Sequence, residues 1–483
     1  MLAPWVTDEM KTAELKDRRL NDRLREILAQ LSEHPTASIA AACGGYAEMA
    51  AAYRFFDNEK VTFDAILASH CQMTRTRIAE QRCVILAQDT TELDLTRPEV
   101  QVFGAGPLDD GPRRGALLHL LHAFTPDGTP LGTVAGEAWT RDDDAPAKDR
   151  KQTPIEEKES HRWVETLREA QQVARDIPDT QIVCVADSEA DIFEVLVEAQ
   201  AAPRAADWIV RAGYDRALQA ETAKNSGETA PVAHLLAQVA AQEVLFTNII
   251  SVRGRKAKVS CETRGRKQPR ESRRAEVEVR AASVILRPPY RAHGKLPPVQ
   301  VNVVLVREVN PPPGEPPVEW LLLTSLPINT LNAVRDVIQY YCVRWMIEVF
   351  FRTLKSGCRI EERRFEQLPR LLNCLAVFVI VAWRVLYACR LGRSCPELSC
   401  EAVFEPAEWK AVYRVVHRQP PPKTPPKLQE MVRLVAQLGG YVNKPRSDEP
   451  GPQTVWLGLA RAHDFALCWQ IFGPEAKTNC ELV

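Results

Sequence analysis

The amino-acid sequence predicts an α/β fold in which helical segments flank a mixed β-sheet. Two apolar stretches, ALLHLLHAFT (116–125) and PLGTVAGEAW (130–139), surround a Pro-Asp-Gly turn and predict antiparallel strands. Farther along, the sequence predicts a strand at QIVCVAD (181–187), then a helix at 189–199 and then a strand at DWIVRA (207–212). A strand–helix–strand order favours a parallel pair, so the sheet should contain both orientations.

The amino-terminal segment, residues 1–70, is predicted to be helical. Its apolar residues recur at three- and four-residue spacing, which predicts one buried helix face. These residues are Leu20, Leu24, Ile27, Leu28 and Leu31. Basic side chains lie on or beside the opposite face, ordinarily as a solvated surface and alternatively as a nucleic-acid contact. A second helix is predicted at Tyr46–Phe56, before a short apolar strand at CVILAQDT (83–90) that ends in polar residues.

The alternation of strands and helices is interrupted between about 213 and 300, which we interpret as a β-rich insertion. It contains a basic stretch at 251–280 with 11 Lys and Arg against 4 Asp and Glu. Such a stretch predicts either a track along DNA or a disordered, solvated loop. The elements expected after it are strands at 299–306 and 319–326, helices at 331–355 and 370–389, and a proline-rich linker at 419–427.

Composition excludes several classes of protein. Lys and Arg total 62 against 63 Asp and Glu, which argues against a polybasic, histone-like protein but not against local basic patches. The longest apolar run, 374–383, falls short of the about 20 residues that span a membrane. The N-terminus is too acidic for a secretion signal. The 13 cysteines are scattered and contain no Cys-x-x-Cys pair, so we expect reduced thiols in a cytoplasmic protein.

Three carboxylates are candidates for a catalytic metal site. Asp89 and Asp187 each follow a buried strand, where ligands collect in α/β sheets, although such a residue alone is more often a turn or helix cap. The third candidate, Glu348, shares a predicted helix face with Tyr341, Arg344 and Lys355. That stripe suits phosphate held beside a metal ion, and ordinary intrahelical ion pairs are the alternative.

These residues carry a family resemblance. The chain resembles bacterial cut-and-paste transposases of the insertion-sequence-4 family, which use a DDE motif. QDTTELDL and ADSEADIF are similar to the first and second Asp motifs, and YxxRxxxExxxxxxK (341–355) matches the Tyr-Arg-Glu-Lys element without a gap. Further matches are AAYRFFDN (51–58), EKESHRW (157–163), PVEWLLLTS (317–325) and the tail at 439–459.

The resemblance implies an RNase H-like catalytic core in which Asp89, Asp187 and Glu348 bind two Mg²⁺ ions, with Mn²⁺ as a substitute. It implies end nicking, hairpin formation and resolution, and strand transfer to target DNA. It also implies DNA contacts by Trp320, as a base-stacking residue, and by Arg211.

Further DNA contacts are implied for three residues of the helix stripe and three amino-terminal arginines. They are Tyr341, Arg344, Lys355, Arg18, Arg19 and Arg23. The expected domains are an end-binding domain at 1–70, a catalytic domain at 71–370 and a dimerisation domain at 371–483. The expected partners are transposon-end DNA, target DNA and a second copy of the chain in a paired-end complex, with no membrane.

Three other functions remain as alternatives. A non-catalytic transposition inhibitor or domesticated relative would not need the intact carboxylates. A simple metal-dependent nuclease would not need a base trap such as Trp320. A two-carboxylate glycosidase would leave Arg344 and Lys355 unexplained.

Overall fold

The computed structural model describes residues 3–97, 101–109, 111–143, 153–200, 205–219, 232–252, 254, 271–292, 294–442 and 449–474. The chain divides into two compact units. The first unit is Met1–Pro146 with Trp345–Val483, and the second unit is Ala147–Arg344. Most of the basic stretch at 251–280, predicted to follow DNA, lies outside the described residues.

The described residues form fourteen α-helices and ten strands. The helices are α1 (Pro4–Glu9), α2 (Arg18–Glu33), α3 (Ile39–Ala42), α4 (Tyr46–Phe56), α5 (Phe63–Ala79), α6 (Arg162–Asp176), α7 (Phe193–Ala199), α8 (Leu235–Ala240), α9 (Leu331–Val343), α10 (Trp345–Arg352), α11 (Leu368–Ser394), α12 (Pro406–His417), α13 (Leu428–Leu438) and α14 (Pro452–Phe472). The strands are β1 (Cys83–Asp94), β2 (Gly106–Pro107), β3 (Arg114–Phe124), β4 (Pro130–Trp139), β5 (Gln181–Ala186), β6 (Asp207–Arg211), β7 (Phe246–Val252), β8 (Arg273–Leu286), β9 (Val299–Glu308) and β10 (Glu319–Thr324).

The first unit combines an antiparallel sheet with helices from both ends of the chain. β3 lies between β1 and β4 and is antiparallel to both. β3 is buried almost throughout, and α5 and α11 pack against β4. The side chain of Asp17 caps α2 by accepting a hydrogen bond from the Arg19 N–H, as expected for an N-cap aspartate. Leu24, Ile27 and Leu28 form the buried face of α2, as the spacing predicted.

Helix α11 is the central core element of the first unit. By length and composition alone it could cross a membrane, yet 83% of its most apolar window is buried inside the protein. A mostly buried helix of this kind is typical of a protein core. The indole N–H of Trp383 donates a 3.1 Å hydrogen bond to the carbonyl of Pro130, which fixes α11 to the start of β4.

The second unit contains a mixed sheet in the order β5-β6-β10-β9-β8-β7. β5 and β6 are parallel, whereas every later pair is antiparallel. α6 and α9 pack on β5, and α8 packs on β8. The mixed α/β fold is therefore confirmed, and β7 and β8 form the β-rich insertion.

Two predicted helices differ from the observed ones. The single helix expected at 331–355 is α9 and α10, separated at Arg344, followed by a π-helical turn at Thr353–Gly357. That turn is closed by a hydrogen bond from the Cys358 N–H to the Thr353 carbonyl, five residues back. The helix expected at 189–199 begins as a 3₁₀ turn and becomes α7 only at Phe193. The spacing of apolar side chains does not distinguish a π-helical or 3₁₀ turn from an α-helix.

A buried polar network joins α1, α5 and β4. Glu9 Oε1 lies 2.5 Å from His70 Nδ1, and Arg77 Nη1 lies 2.9 Å from Glu9 Oε2. The Thr133 N–H donates to His70 Nε2 at 3.0 Å, so Nδ1 must carry the proton that His70 donates to Glu9. Burial raises the pKa of Glu9, but its hydrogen bonds with His70 and Arg77, together with the charge of Arg77, outweigh burial and hold that pKa below its usual value.

His122, fully buried beside this network, predicts a pH dependence of stability. Burial, with the charge of Arg77, lowers its pKa well below the ordinary 6.5. Below about pH 6.5 the unfolded chain binds a proton that folded His122 does not, so stability falls as pH decreases, by at most about 1.4 kcal/mol per pH unit for this group. His122→Gln should reduce the dependence of the free energy of unfolding on pH, which denaturant unfolding at several pH values measures. His417→Gln controls for loss of a histidine, and an unchanged slope in His122→Gln would contradict the assignment.

Candidate active site and DNA-contact residues

Asp89 lies inside β1 and not at its end, which corrects the prediction of a short strand. β1 continues to Asp94 because the residues after Asp89 remain paired with β3. Asp89 is 8% exposed, and its Oδ1 accepts a 2.8 Å hydrogen bond from the Thr90 N–H. The Thr90 hydroxyl lies 2.8 Å from Nδ1 of His119 on β3. Because side chains alternate along a strand, Thr90 and His119 brace β1 from the face opposite Asp89.

Glu348 is half-buried on α10, which packs against β1 in the same unit. Its neighbours Ile347, Phe350 and Phe351 are buried and fix the helix. The ring of Phe350 lies 4.5 Å from that of His122 on β3. The first unit therefore carries two of the three candidate carboxylates on elements that contact each other.

Asp187 directly follows β5 in the second unit. Its Oδ1 accepts a 2.8 Å hydrogen bond from the Glu189 N–H and caps the 3₁₀ turn, as an aspartate in this position commonly does. A carboxylate accepts about four bonds, so a cap does not prevent it from also binding a metal ion.

Arg211, Trp320 and Tyr341 are neighbours in the second unit. The parallel register pairs Ala186 of β5 with Val210 of β6. Asp187 and Arg211 directly follow these two residues, so they lie at the same end of the two strands. Arg211 Nη2 donates a 3.1 Å hydrogen bond to the carbonyl of Glu319, the residue before Trp320. The rings of Trp320 and Tyr341 lie 5.8 Å apart at 59°.

Tyr341 links this aromatic pair to nearby charges. Burial raises the pKa of Tyr341, while the charges of Arg344 and Arg211 act to lower it and that of Asp187 acts to raise it. The Arg344 guanidinium lies 5.9 Å from the centre of the Tyr341 ring. Five of the sequence-predicted residues are thus brought together within the second unit. They are Asp187, Arg211, Trp320, Tyr341 and Arg344.

Lys355 and the amino-terminal arginines are engaged in ion pairs. Lys355 Nζ lies 3.7 Å from Glu361 Oε1, within the first unit. Arg18, Arg19 and Arg23 pair with acidic residues on or beside α2, and the side chains of Arg18 and Arg19 are more than nine-tenths exposed. Exposed pairs of this kind contribute little to stability, so these cations could exchange a carboxylate for a phosphate.

Asp191 is a structural residue of the site that the sequence did not single out. Its carboxylate is fully buried, accepts hydrogen bonds from the Gly213 and Tyr214 N–H groups at 2.8 and 3.2 Å, and pairs with Arg216 at 2.5 Å. It therefore fixes the loop that begins directly after Arg211. The only sequence signal was a second aspartate in ADSEADIF.

Asp191→Asn should lower the free energy of unfolding by about 3 kcal/mol, because it leaves the Arg216 charge buried without its counter-charge. The matched control is Asp215→Asn, which changes a half-exposed aspartate of the same loop and should cost less than about 1 kcal/mol. Guanidinium unfolding followed by tryptophan fluorescence measures both. Equal losses in the two variants would show that Asp191 is not the anchor.

The donor set of Asp89, Asp187 and Glu348 fits a hard divalent cation. All three residues offer only carboxylate oxygens, the ligands that Mg²⁺ and Mn²⁺ prefer, and none offers the nitrogen or sulfur typical of zinc sites.

Comparison with known proteins gives matches along most of the chain. Residues 2–61 match a family model described as Transposase DNA-binding, 153–381 match Transposase DDE domain, and 380–468 match Transposase Tn5 dimerisation domain. A cryo-EM structure of a piggyBac transposase synaptic complex with hairpin DNA is similar at a TM-score of 0.37 and 9% identity, over 81% of this chain and 72% of that chain. That structural likeness is too weak to support any conclusion about the site.

The three family models occur in the order DNA-binding, catalytic, dimerisation, which is the order in which the sequence motifs were found. The chain therefore belongs to the Tn5-like DDE transposases of the insertion-sequence-4 family, DNA-cleaving and strand-transferring enzymes that depend on a divalent metal ion.

Proposed function

We propose that the protein excises its own element by cut-and-paste transposition and joins it to target DNA. Each end is nicked to free a 3′-OH, which attacks the opposite strand and forms a hairpin. The hairpin is then reopened, and the 3′-OH is joined to the target. All four steps are in-line phosphoryl transfers, so one site can serve them in turn.

The observation that best supports this proposal is the cluster at one end of the second unit's sheet. It combines the carboxylate of Asp187 with the cation of Arg211 and the rings of Trp320 and Tyr341. Hydrolysis alone needs the metal-binding carboxylates but no aromatic surface beside them. A cation and an aromatic surface beside them suit DNA whose backbone and bases must both be held.

In this proposal Asp89, Asp187 and Glu348 bind two Mg²⁺ ions, for which Mn²⁺ substitutes. When bound, the ions would supply activation of the attacking water or 3′-OH and stabilisation of the charge on the departing 3′ oxygen. The chain's own contribution is to hold the carboxylates rigidly. Asp89 is held by the paired strand β1, Glu348 by the packing of Phe350 on α10, and Asp187 by the turn that it caps.

Trp320 is proposed to hold a base that leaves the stack when the hairpin forms. A hairpin bends the duplex sharply, and an unstacked base is stabilised by an aromatic surface. Tyr341 supports the indole from one side through its ring contact. Arg211 lies one strand away and is proposed to bind the phosphate of the distorted strand.

Tyr341, Arg344 and Lys355 are proposed to contact DNA phosphates as well. Tyr341 is 6% and Arg344 9% exposed, so each would reach a phosphate through its polar end only. Lys355 would exchange its 3.7 Å pair with Glu361 for a phosphate oxygen.

The flanking regions are proposed to bind the transposon end and a second copy of the chain. Residues 1–70 would read the end, with Arg18, Arg19 and Arg23 as groove or phosphate contacts. Residues 371–483 would form the homodimer of a paired-end complex, with 71–370 as the catalytic domain between them. The protein would act in the bacterial cytoplasm, on the nucleoid when bound to DNA.

Incubation with labelled duplexes that carry the termini flanking the gene tests this function. With Mg²⁺ or Mn²⁺, denaturing gels should show a nick, then a hairpin, and a joined product once target plasmid is added. A duplex with scrambled termini is the matched control and should give none of them. Nicking without a hairpin or joined product would favour a simple nuclease, and binding without cleavage would favour the inhibitor or domesticated relative.

A further inference from the structure

A second group of metal-ligand side chains lies away from the three carboxylates, where the end of α2 meets α14. Glu33 is the last residue of α2, His34 follows it, and His463 lies on α14. One ligand atom from each residue lies within 4.8 Å of the other two. Glu33 Oε2 and His463 Nε2 are 3.2 Å apart, and the two imidazole rings meet edge to face at 5.4 Å and 89°.

These distances suit ligands of one small cation. Two ligands bound to zinc at about 2.0–2.1 Å in tetrahedral geometry lie about 3.3 Å apart, close to the separation of Glu33 Oε2 and His463 Nε2. The ligand atom of His34 lies within 4.8 Å of both and would supply the third ligand.

Burial and charge also favour a cation here. The side chain of His463 is 17% and that of Glu33 34% exposed, so the ligands are sheltered but accessible. Glu33 Oε2 faces the imidazole of His463 directly, so a carboxylate lies against the position that the cation would take.

We propose that Glu33, His34 and His463 bind one zinc-class divalent ion, with water in the fourth position. Two imidazoles and one carboxylate form a donor set that zinc and its transition-metal neighbours prefer over Mg²⁺. The ion would join α2, in the region matched by the DNA-binding model, to α14, in the region matched by the dimerisation model. This site does not depend on the proposed cut-and-paste pathway.

Metal analysis of the full-length chain tests the site. Protein treated with chelator and dialysed against Zn²⁺ should retain one more ion per chain than His463→Gln and His34→Gln. Glutamine keeps a hydrogen-bonding amide but is a poor zinc ligand, so these variants should fold, which circular dichroism and metal-free melting temperature check. The matched control is His417→Gln, which should retain the same zinc as the wild type. Measuring all variants in a Glu348→Ala background removes a contribution from the catalytic carboxylates.

Co²⁺ serves as a spectroscopic probe of the ligands. With Co²⁺, the wild type should show a d–d spectrum without a thiolate charge-transfer band. With Zn²⁺, its melting temperature should rise. Both the spectrum and the rise should be absent in His34→Gln and His463→Gln. Equal zinc content in wild type, His34→Gln and His463→Gln would overturn the site. A thiolate band that persists in both variants would assign the zinc to cysteines instead and would also overturn it.

Discussion

Asp187→Asn should reduce end cleavage and strand transfer at least about 10³-fold, while binding of the transposon end stays within a factor of about two. Asparagine keeps the cap on the Glu189 N–H but removes the charge that a divalent ion needs. Loss of several kcal/mol of charge stabilisation in each phosphoryl transfer corresponds to three or more powers of ten in rate. Single-turnover cleavage and gel-shift titration measure the two quantities.

The matched control for this variant is Asp179→Asn, at the opposite end of β5. It changes an exposed aspartate before the strand and should leave cleavage unchanged. Asp89→Asn and Glu348→Gln should reduce cleavage as much as Asp187→Asn does. A double variant should lose no more activity than a single one, because the effects of substituting residues that act as one unit are not additive. Cleavage within tenfold of wild type in any of the three single variants would remove that residue from the ligand set.

Trp320→Ala should spare the first nick and suppress the hairpin. Stacking of one base on an aromatic side chain contributes about 1–3 kcal/mol, or about 5- to 150-fold in the step that needs the flipped base. Nicking needs no flipped base, so it should change less than about threefold. Quench-flow sampling with nick and hairpin resolved on denaturing gels separates the two rates.

Trp320→Phe is the control for this prediction, since it keeps a ring that can stack and contact Tyr341. It should retain part of the hairpin rate. Equal loss of nicking and hairpin formation in Trp320→Ala would contradict a base-holding role and would favour a structural one.

The fold could be predicted where periodicity and turn residues act locally. β4 was predicted at 130–139 and is found at Pro130–Trp139, because a Pro-Asp-Gly turn and a mostly apolar stretch define it. β1 was predicted too short because its second half is mostly polar and half-buried, and only pairing with β3 keeps it extended. The division of 331–355 into α9 and α10 likewise depends on tertiary packing.

The candidate site was predicted chiefly through the family motifs and not through spacing alone. Strand position suggested Asp187 but described Asp89 incorrectly as a strand end. Asp191 was missed because its partners, the Gly213 and Tyr214 N–H groups and Arg216, come near only after β6 pairs with β5. His34 and His463 lie near opposite ends of the chain, so no local pattern joins them.

The central claim is that Asp89, Asp187 and Glu348 bind the same ions. Fe²⁺ in place of Mg²⁺, with ascorbate and peroxide, cuts a polypeptide next to the bound ion. Fragments should end near residues 89, 187 and 348, and Glu348→Gln should weaken all three cuts together. Cuts near residues 34 and 463 would report the separate histidine site and should persist in that variant. Loss of only the cut near residue 348, or cuts at fewer than three positions, would contradict a shared site.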